Sequence, residues 1–254
     1  MKPEFIPAYD PQEGARRARE LFEETFAAKP IGVWRAPGRV NVIGEHTDYN
    51  GGKALPLALP HAIYVALRVR EDDQLKIISE DFPELSSHNL SELAKNYPAS
   101  GPGAFVGGVI LGLKQVLEDN GHQEKARALA QKVPGLEVAI ASSVPLSAGL
   151  SSSAALECAI AVGIDDLASL GLADSFEGRK LLVEGGKVAE NRYVGAPTGG
   201  LDQSASMLCE KDCVLELDCA TWQTRSHPFD LPALGLSLLV IDTCTSHDLA
   251  DGQY

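Results

Sequence analysis

The feature that most constrains this chain is residues 144–154, VPLSAGLSSSA. Residues 136–141 before it (LEVAIA) alternate in the manner of a strand. After it, Leu156, Ile160, Ile164 and Leu167 recur every three or four positions, the spacing of an amphipathic helix. The stretch is therefore a strand-to-helix turn. Gly149 lets the backbone turn tightly and approach a ligand closely. Ser151, Ser152 and Ser153 fall where the first helical N–H groups have no internal partner. Hydroxyls and orphan amides at the positive end of a helix dipole make a phosphate cradle. A single serine suffices to cap a helix. Three of them soon after a glycine, with Pro145 fixing the approach, exceed what capping needs. The Gly-Lys-Ser/Thr ending of a P-loop is absent, so no lysine reaches a phosphate from this turn.

Two other stretches are dense in chemistry. In residues 38–51 (GRVNVIGEHTDYNG), apolar Val40, Val42 and Ile43 lie between Arg39 and the run Glu45, His46, Thr47, Asp48. Carboxylates and an imidazole between glycines suit a small polyhydroxylated ligand, and a solvated turn is the competing reading. A transition-metal site would want a second histidine at close spacing, and none is there. In residues 199–203 (GGLDQ), Asp202 follows two glycines just before a helical stretch. It can cap that helix or be presented into a cleft as a base.

The rest of the chain predicts helices over residues 15–28, 105–119 and 181–194, a charged helix and connector over 121–135, and a short helix near 90–96. Strands are predicted over 32–36, 54–59, 62–70, 75–79, 136–141, 214–217, 221–224 and 236–243. With 254 residues and 44% hydrophobic residues there is material for one large or two medium domains. A formal net charge of −13 argues against general nucleic-acid or anionic-membrane binding. The N-terminus shows no signal-peptide pattern, and no apolar run approaches the ~18 residues of a membrane span. Cysteines 158, 209, 213, 219 and 244 do not meet zinc spacings and are expected as free thiols in a reducing cytoplasm.

Residues 38–51 resemble the galactokinase signature. Residues 145–155 (PLSAGLSSSAA) resemble the phosphate motif shared by the galactokinase, homoserine kinase, mevalonate kinase and phosphomevalonate kinase superfamily. Residues 199–203 resemble the segment that carries the family's catalytic aspartate. The three stand in the family's order, which a lone glycine-rich match would not show. The resemblance implies an α+β, two-domain fold. Its N-terminal mixed α/β domain, of the ribosomal-protein-S5 second-domain type, would span residues 1–210. Residues 211–254 would be the opening strands of an incomplete C-terminal α+β domain. The form HxLxDGQY at residues 247–254 resembles bacterial members, and the family's third, glycine-rich motif is missing. The resemblance therefore implies a truncated chain, poorly soluble or inactive alone.

By the same resemblance, the γ-phosphoryl of ATP would pass to the anomeric hydroxyl of α-D-galactose, the first committed step of galactose catabolism. Asp202 would accept the hydroxyl proton, with Arg39 beside it. Glu45, His46, Asp48, Gly199 and Tyr254 would hold the sugar. Gly149, Leu150, Ser151, Ser152, Ser153 and Ala154 would wrap the nucleotide phosphates, and Ser153 with Glu190 would hold Mg²⁺. A helix-surface carboxylate is the competing reading of Glu190. The expected protein is cytoplasmic, monomeric at full length, and takes galactose and ATP rather than nucleic acid or membrane as partners. A related sugar kinase, or a non-catalytic sensor binding galactose and ATP, are the alternatives.

Overall fold

The computed structural model describes residues 5–145 and 148–241. Helix α1 (Pro11–Phe26) opens with Pro11, and the Asp10 carboxylate accepts from Gln12 N at 2.9 Å; both are favourable at a helix start. The strands are β1 (Gly32–Asn41), β2 (Lys53–Ala54), β3 (Pro56–Arg70), β4 (Gln74–Ser79), β5 (Ser86–Asn89), β6 (Gly135–Ser142), β7 (Cys213–Asp218) and β8 (Gln223–Pro228). The further helices are α2 (Leu90–Leu93), α3 (Pro102–Asp119), α4 (Gln123–Lys132), α5 (Ser152–Ala168), α6 (Phe176–Val188) and α7 (Leu201–Leu208). A wide turn, Ala189–Val194, continues α6.

Five strands form one sheet in the order β1-β3-β6-β4-β5, antiparallel throughout except that β4 and β6 run parallel. The central strands β3 and β6 are covered on both faces, which is why they are apolar at nearly every position. Tyr64, Ala66, Ala139 and Ala141 face Ala18 and Phe22 of α1. Val65, Leu67, Val138 and Ile140 face the helical layer that includes Leu113, Ile160 and Ile164. Gly163 lets α5 lie directly on β3, because a Cβ there would stand 2.4 Å from Leu67 Cδ1. Leu67 is fully buried, so truncating it to alanine costs about 2–5 kcal/mol. A second sheet, β2-β7-β8, lays the 213–228 hairpin against the loop that follows β1. Among the described residues no helix is long and apolar enough to cross a membrane.

The structure corrects several sequence expectations. The two strands expected over 54–59 and 62–70 are one strand, β3, running through Pro60. Pro60 has no N–H to give, and β1 shifts register opposite it, between Pro37 and Arg39, so the missing donor falls at a bulge. Strand β5 was not expected, since its sequence SSHN carries no apolar alternation. The strand expected over 236–243 is absent from 236–241, while 242–243 lie outside the described residues. There Leu239 and Ile241 are 70% and 77% exposed, and among the described residues no strand pairs with this segment.

Candidate active site

Three segments far apart in sequence meet at the bulge of β1. Gly38 sits in that bulge, where a Cβ would come 2.7 Å from Leu150 O, and Arg39 N donates to the same carbonyl at 3.1 Å. The end of β1 therefore abuts the 144–151 turn. Ser206 Oγ of α7 donates to Pro37 O at 2.7 Å and fixes the third segment to the same bulge. These main-chain ties leave one side chain from each segment facing the others.

The Arg39 guanidinium pairs with Asp202 Oδ1 through Nε at 2.7 Å and Nη2 at 2.6 Å. Its third nitrogen, Nη1, donates to Gly149 O at 2.9 Å. Asp202 Oδ2 accepts from Ser151 Oγ at 2.5 Å. The pair is mostly buried, with 15% of the arginine and 27% of the aspartate side chain exposed. Such a pair is stable only because every nitrogen of the fork has an acceptor.

The phosphate-type turn departs from a simple cap. Ser151 takes a left-handed conformation at φ +56°, and its side chain makes no capping bond to α5. The hydroxyl is spent on Asp202 instead. Gly149 also has positive φ, and among the described residues nothing lies within 4 Å of where its Cβ would be. Glycine is required there by the backbone angle, not by crowding among the described residues. Leu150 and Ala154 bury their side chains in the core. Ser153 Oγ donates to Glu190 Oε1 at 3.1 Å.

Glu190 is not on a helix surface. It is 6% exposed, in the wide turn after α6. Its Oε2 accepts from Gln203 Nε2 at 2.7 Å, and the same nitrogen donates to Glu157 Oε2 at 2.8 Å. Burial, backed by the Asp202 charge, pushes the Glu190 carboxyl up to about 7. Burial, backed by the Glu190 charge, pushes Glu157 well above the usual carboxylate range. Neither Glu157 nor Gln203 was expected as a site residue. The available signal for Glu157 was a carboxylate in the otherwise apolar run 154–164 of α5.

The loop after β1 is anchored to the Asp202 helix. Asp48 Oδ2 accepts from Gly199 N at 3.1 Å and Leu201 N at 3.4 Å, at the start of α7. Thr47 Oγ1 lies within hydrogen-bond distance of both Gly44 O and Lys53 O, so its single proton is shared between them and the loop closes on itself. His46, at φ +60°, shares a hydrogen bond between Nδ1 and Tyr49 Oη at 2.8 Å. Glu45 is exposed. The structure thus brings Arg39, Asp48, Gly149, Ser151, Ser153, Glu190, Gly199 and Asp202 together, and leaves Glu45 at the rim. Tyr254 lies outside the described residues. Among the described residues no three His, Cys, Asp or Glu side chains group as a metal cluster, and cysteines 158, 209, 213 and 219 are free.

Comparison with known proteins follows the same segments. Residues 20–69 match the galactokinase galactose-binding signature, and residues 103–210 match the N-terminal domain of the GHMP kinases. Galactokinase of Streptomyces coelicolor is 42% identical over 236 residues, which cover 92% of this chain and 56% of that protein. Galactokinase of Clostridium tetani is 35% identical over 254 residues, covering 100% of this chain and 55% of that one. The chain thus spans little more than half the length of the curated relatives it matches. The crystal structure of Lactococcus lactis galactokinase complexed with galactose superposes with a TM-score of 0.68 at 34% identity, over 84% of this chain and 51% of that one. Methanococcus jannaschii mevalonate kinase, 18% identical with a TM-score of 0.55 over 76% and 54% of the two chains, shares the fold. With the signature loop, the phosphate turn and the Asp202 helix all matched in order, the chain belongs to the galactokinase family of the GHMP kinases.

Proposed function

We propose that this chain carries the reacting centre of an ATP-dependent kinase that phosphorylates α-D-galactose at its anomeric hydroxyl. The observation that carries the reading is the Arg39–Asp202 pair, set between the signature loop and the Gly149 turn. Phosphoryl transfer asks little covalent chemistry of a protein, chiefly alignment and charge neutralisation. Asp202 is the base, accepting the hydroxyl proton. Its Oδ1 is held by Arg39, so Oδ2, which now accepts from Ser151, is the oxygen that meets the sugar. Arg39 keeps a fork of donors beside the line of transfer, where charge grows on the phosphoryl oxygens. The match of residues 20–69 to the galactose-binding signature supports reading Glu45, His46 and Asp48 as sugar-facing, with Gly199 beside Asp48.

The main chain of Gly149–Ser153 and the start of α5 form the phosphate cradle. Ser153 Oγ and Glu190 Oε1 are neighbouring hard oxygens at 3.1 Å, and Mg²⁺ typically takes one or two protein oxygens besides phosphate and water, so the two fit such an ion. When bound, Mg²⁺ supplies charge neutralisation to the phosphates. The same reading keeps residues 1–210 as the substrate- and nucleotide-binding body and 211–254 as the opening of a second domain. It places a monomeric protein in the cytoplasm, where free thiols persist.

The test is galactose-dependent ADP release by the full-length protein beside Asp202→Asn. Turnover lost by roughly 10²–10⁴-fold with galactose binding retained supports the reading. Wild-type protein that binds both ligands without releasing ADP refutes it and favours a sensor.

A further inference from the structure

We propose that Gln203 is a positioning residue, whose side-chain amide clamps Glu190 so that its other oxygen faces Ser153 and a divalent cation. The inference rests on the kinase reading above and extends it to a residue that touches neither substrate. Gln203 follows Asp202 on α7, yet it is fully buried where Asp202 is partly open. A primary amide nitrogen carries two hydrogens. Both are used here, one on Glu157 Oε2 at 2.8 Å and one on Glu190 Oε2 at 2.7 Å. With Oε2 held, Glu190 presents Oε1 to Ser153 Oγ at 3.1 Å. Glu157, on α5, anchors the amide from behind. The close fit continues at Gly186, where a Cβ would stand 3.2 Å from Gln203 Cγ.

Packing alone does not account for the arrangement. Glu157 Oε1 and Gln203 Oε1 are buried without a partner among the described residues. Each such atom carries a desolvation cost that an apolar side chain of similar volume would not. A group that orients a metal-binding carboxylate gives that expense a function, because loss of such a hydrogen bond typically weakens metal binding roughly 10- to 100-fold.

The experiment titrates Mn²⁺ into the full-length protein with a non-hydrolysable ATP analogue, reading free Mn²⁺ by electron paramagnetic resonance. Gln203→Asn keeps the amide but is one methylene too short to span both carboxylates, and Gln203→Met keeps the length without the donors. Thermal melts and galactose titrations are run on the same samples. The expected result is Mn²⁺ affinity lowered roughly 10- to 100-fold in both variants, with galactose affinity unchanged. Unchanged Mn²⁺ affinity in either folded variant overturns the proposal, and a Gln203→Asn chain that does not fold shows a purely structural role and overturns it too. If Mn²⁺ affinity falls as expected but the wild type releases no ADP with galactose, the kinase reading fails and the clamp stands. If galactose turnover is intact and Mn²⁺ affinity does not move, the clamp alone fails.

Discussion

Gly199→Ala should separate the signature loop from the Asp202 helix. A Cβ at this position would stand 2.5 Å from Asp48 Cγ and 2.6 Å from the Asp48 main-chain carbon. The φ angle of Gly199 is outside the left-handed region, so the effect is steric and not one of backbone strain. Asp48 cannot swing away cheaply, because its Oδ2 is held by the N–H groups of Gly199 and Leu201. Restoring ordinary contact at 3.4 Å requires the loops to part by about 0.8 Å (3.4 − 2.6). Overpacking of this kind costs about 2 kcal/mol, which lowers Tm by roughly 4–8 °C for a domain this large. A displacement near 1 Å between reacting groups costs roughly 10²-fold in rate. Differential scanning calorimetry and steady-state ADP release on the full-length protein measure the two effects together. A Gly199→Ala protein with wild-type Tm and kcat/KM would refute the reasoning, since it would mean that the two loops are not rigidly joined through Asp48.

Three further outcomes are expected. Arg39→Lys keeps the charge but cannot hold both Asp202 and Gly149 O, so kcat should fall roughly 100-fold while galactose KM holds; an unchanged kcat removes Arg39 from the chemistry. Glu157 has its folded-state pKa raised above the usual 4.5, so the native state keeps a proton that the unfolded chain releases. Its contribution therefore falls as pH rises above about 4.5, by up to ~1.4 kcal/mol per pH unit. Urea unfolding of Glu157→Gln should show stability gained over wild type at pH 7 and little difference at pH 4, and a gap independent of pH would contradict the assignment. Tyr64 has a fully buried hydroxyl with no partner among the described residues. Tyr64→Phe should be neutral or stabilising by about 1 kcal/mol, and a clear loss on denaturant titration would show that the hydroxyl is hydrogen-bonded.

What the sequence determined by itself was local. The 3.6-residue spacing of Leu156, Ile160, Ile164 and Leu167 marked α5, and the alternation of 136–141 marked β6. The turn between them, the glycine-bound signature loop and the GGLDQ corner were legible because glycines and clustered polar residues at short spacing have few structural uses. The family followed from a resemblance carried by the three motifs in order, and the α+β fold was expected only through that resemblance. Only the tertiary structure decided which side chains meet. Arg39 and Asp202 are 163 residues apart and pair because the bulge in β1 meets the Leu150 carbonyl of the phosphate turn and, through Pro37 O, Ser206 of α7. Ser151 read as a helix cap or phosphate ligand, but its left-handed backbone turns the hydroxyl onto Asp202. Glu190 read as a metal ligand or a helix-surface carboxylate; the wide turn after α6 drives it inward, onto an amide that α7 supplies and α5 anchors. Helical and strand periods report one element's own face. The partner of a buried polar group comes from another element, and packing alone chooses it.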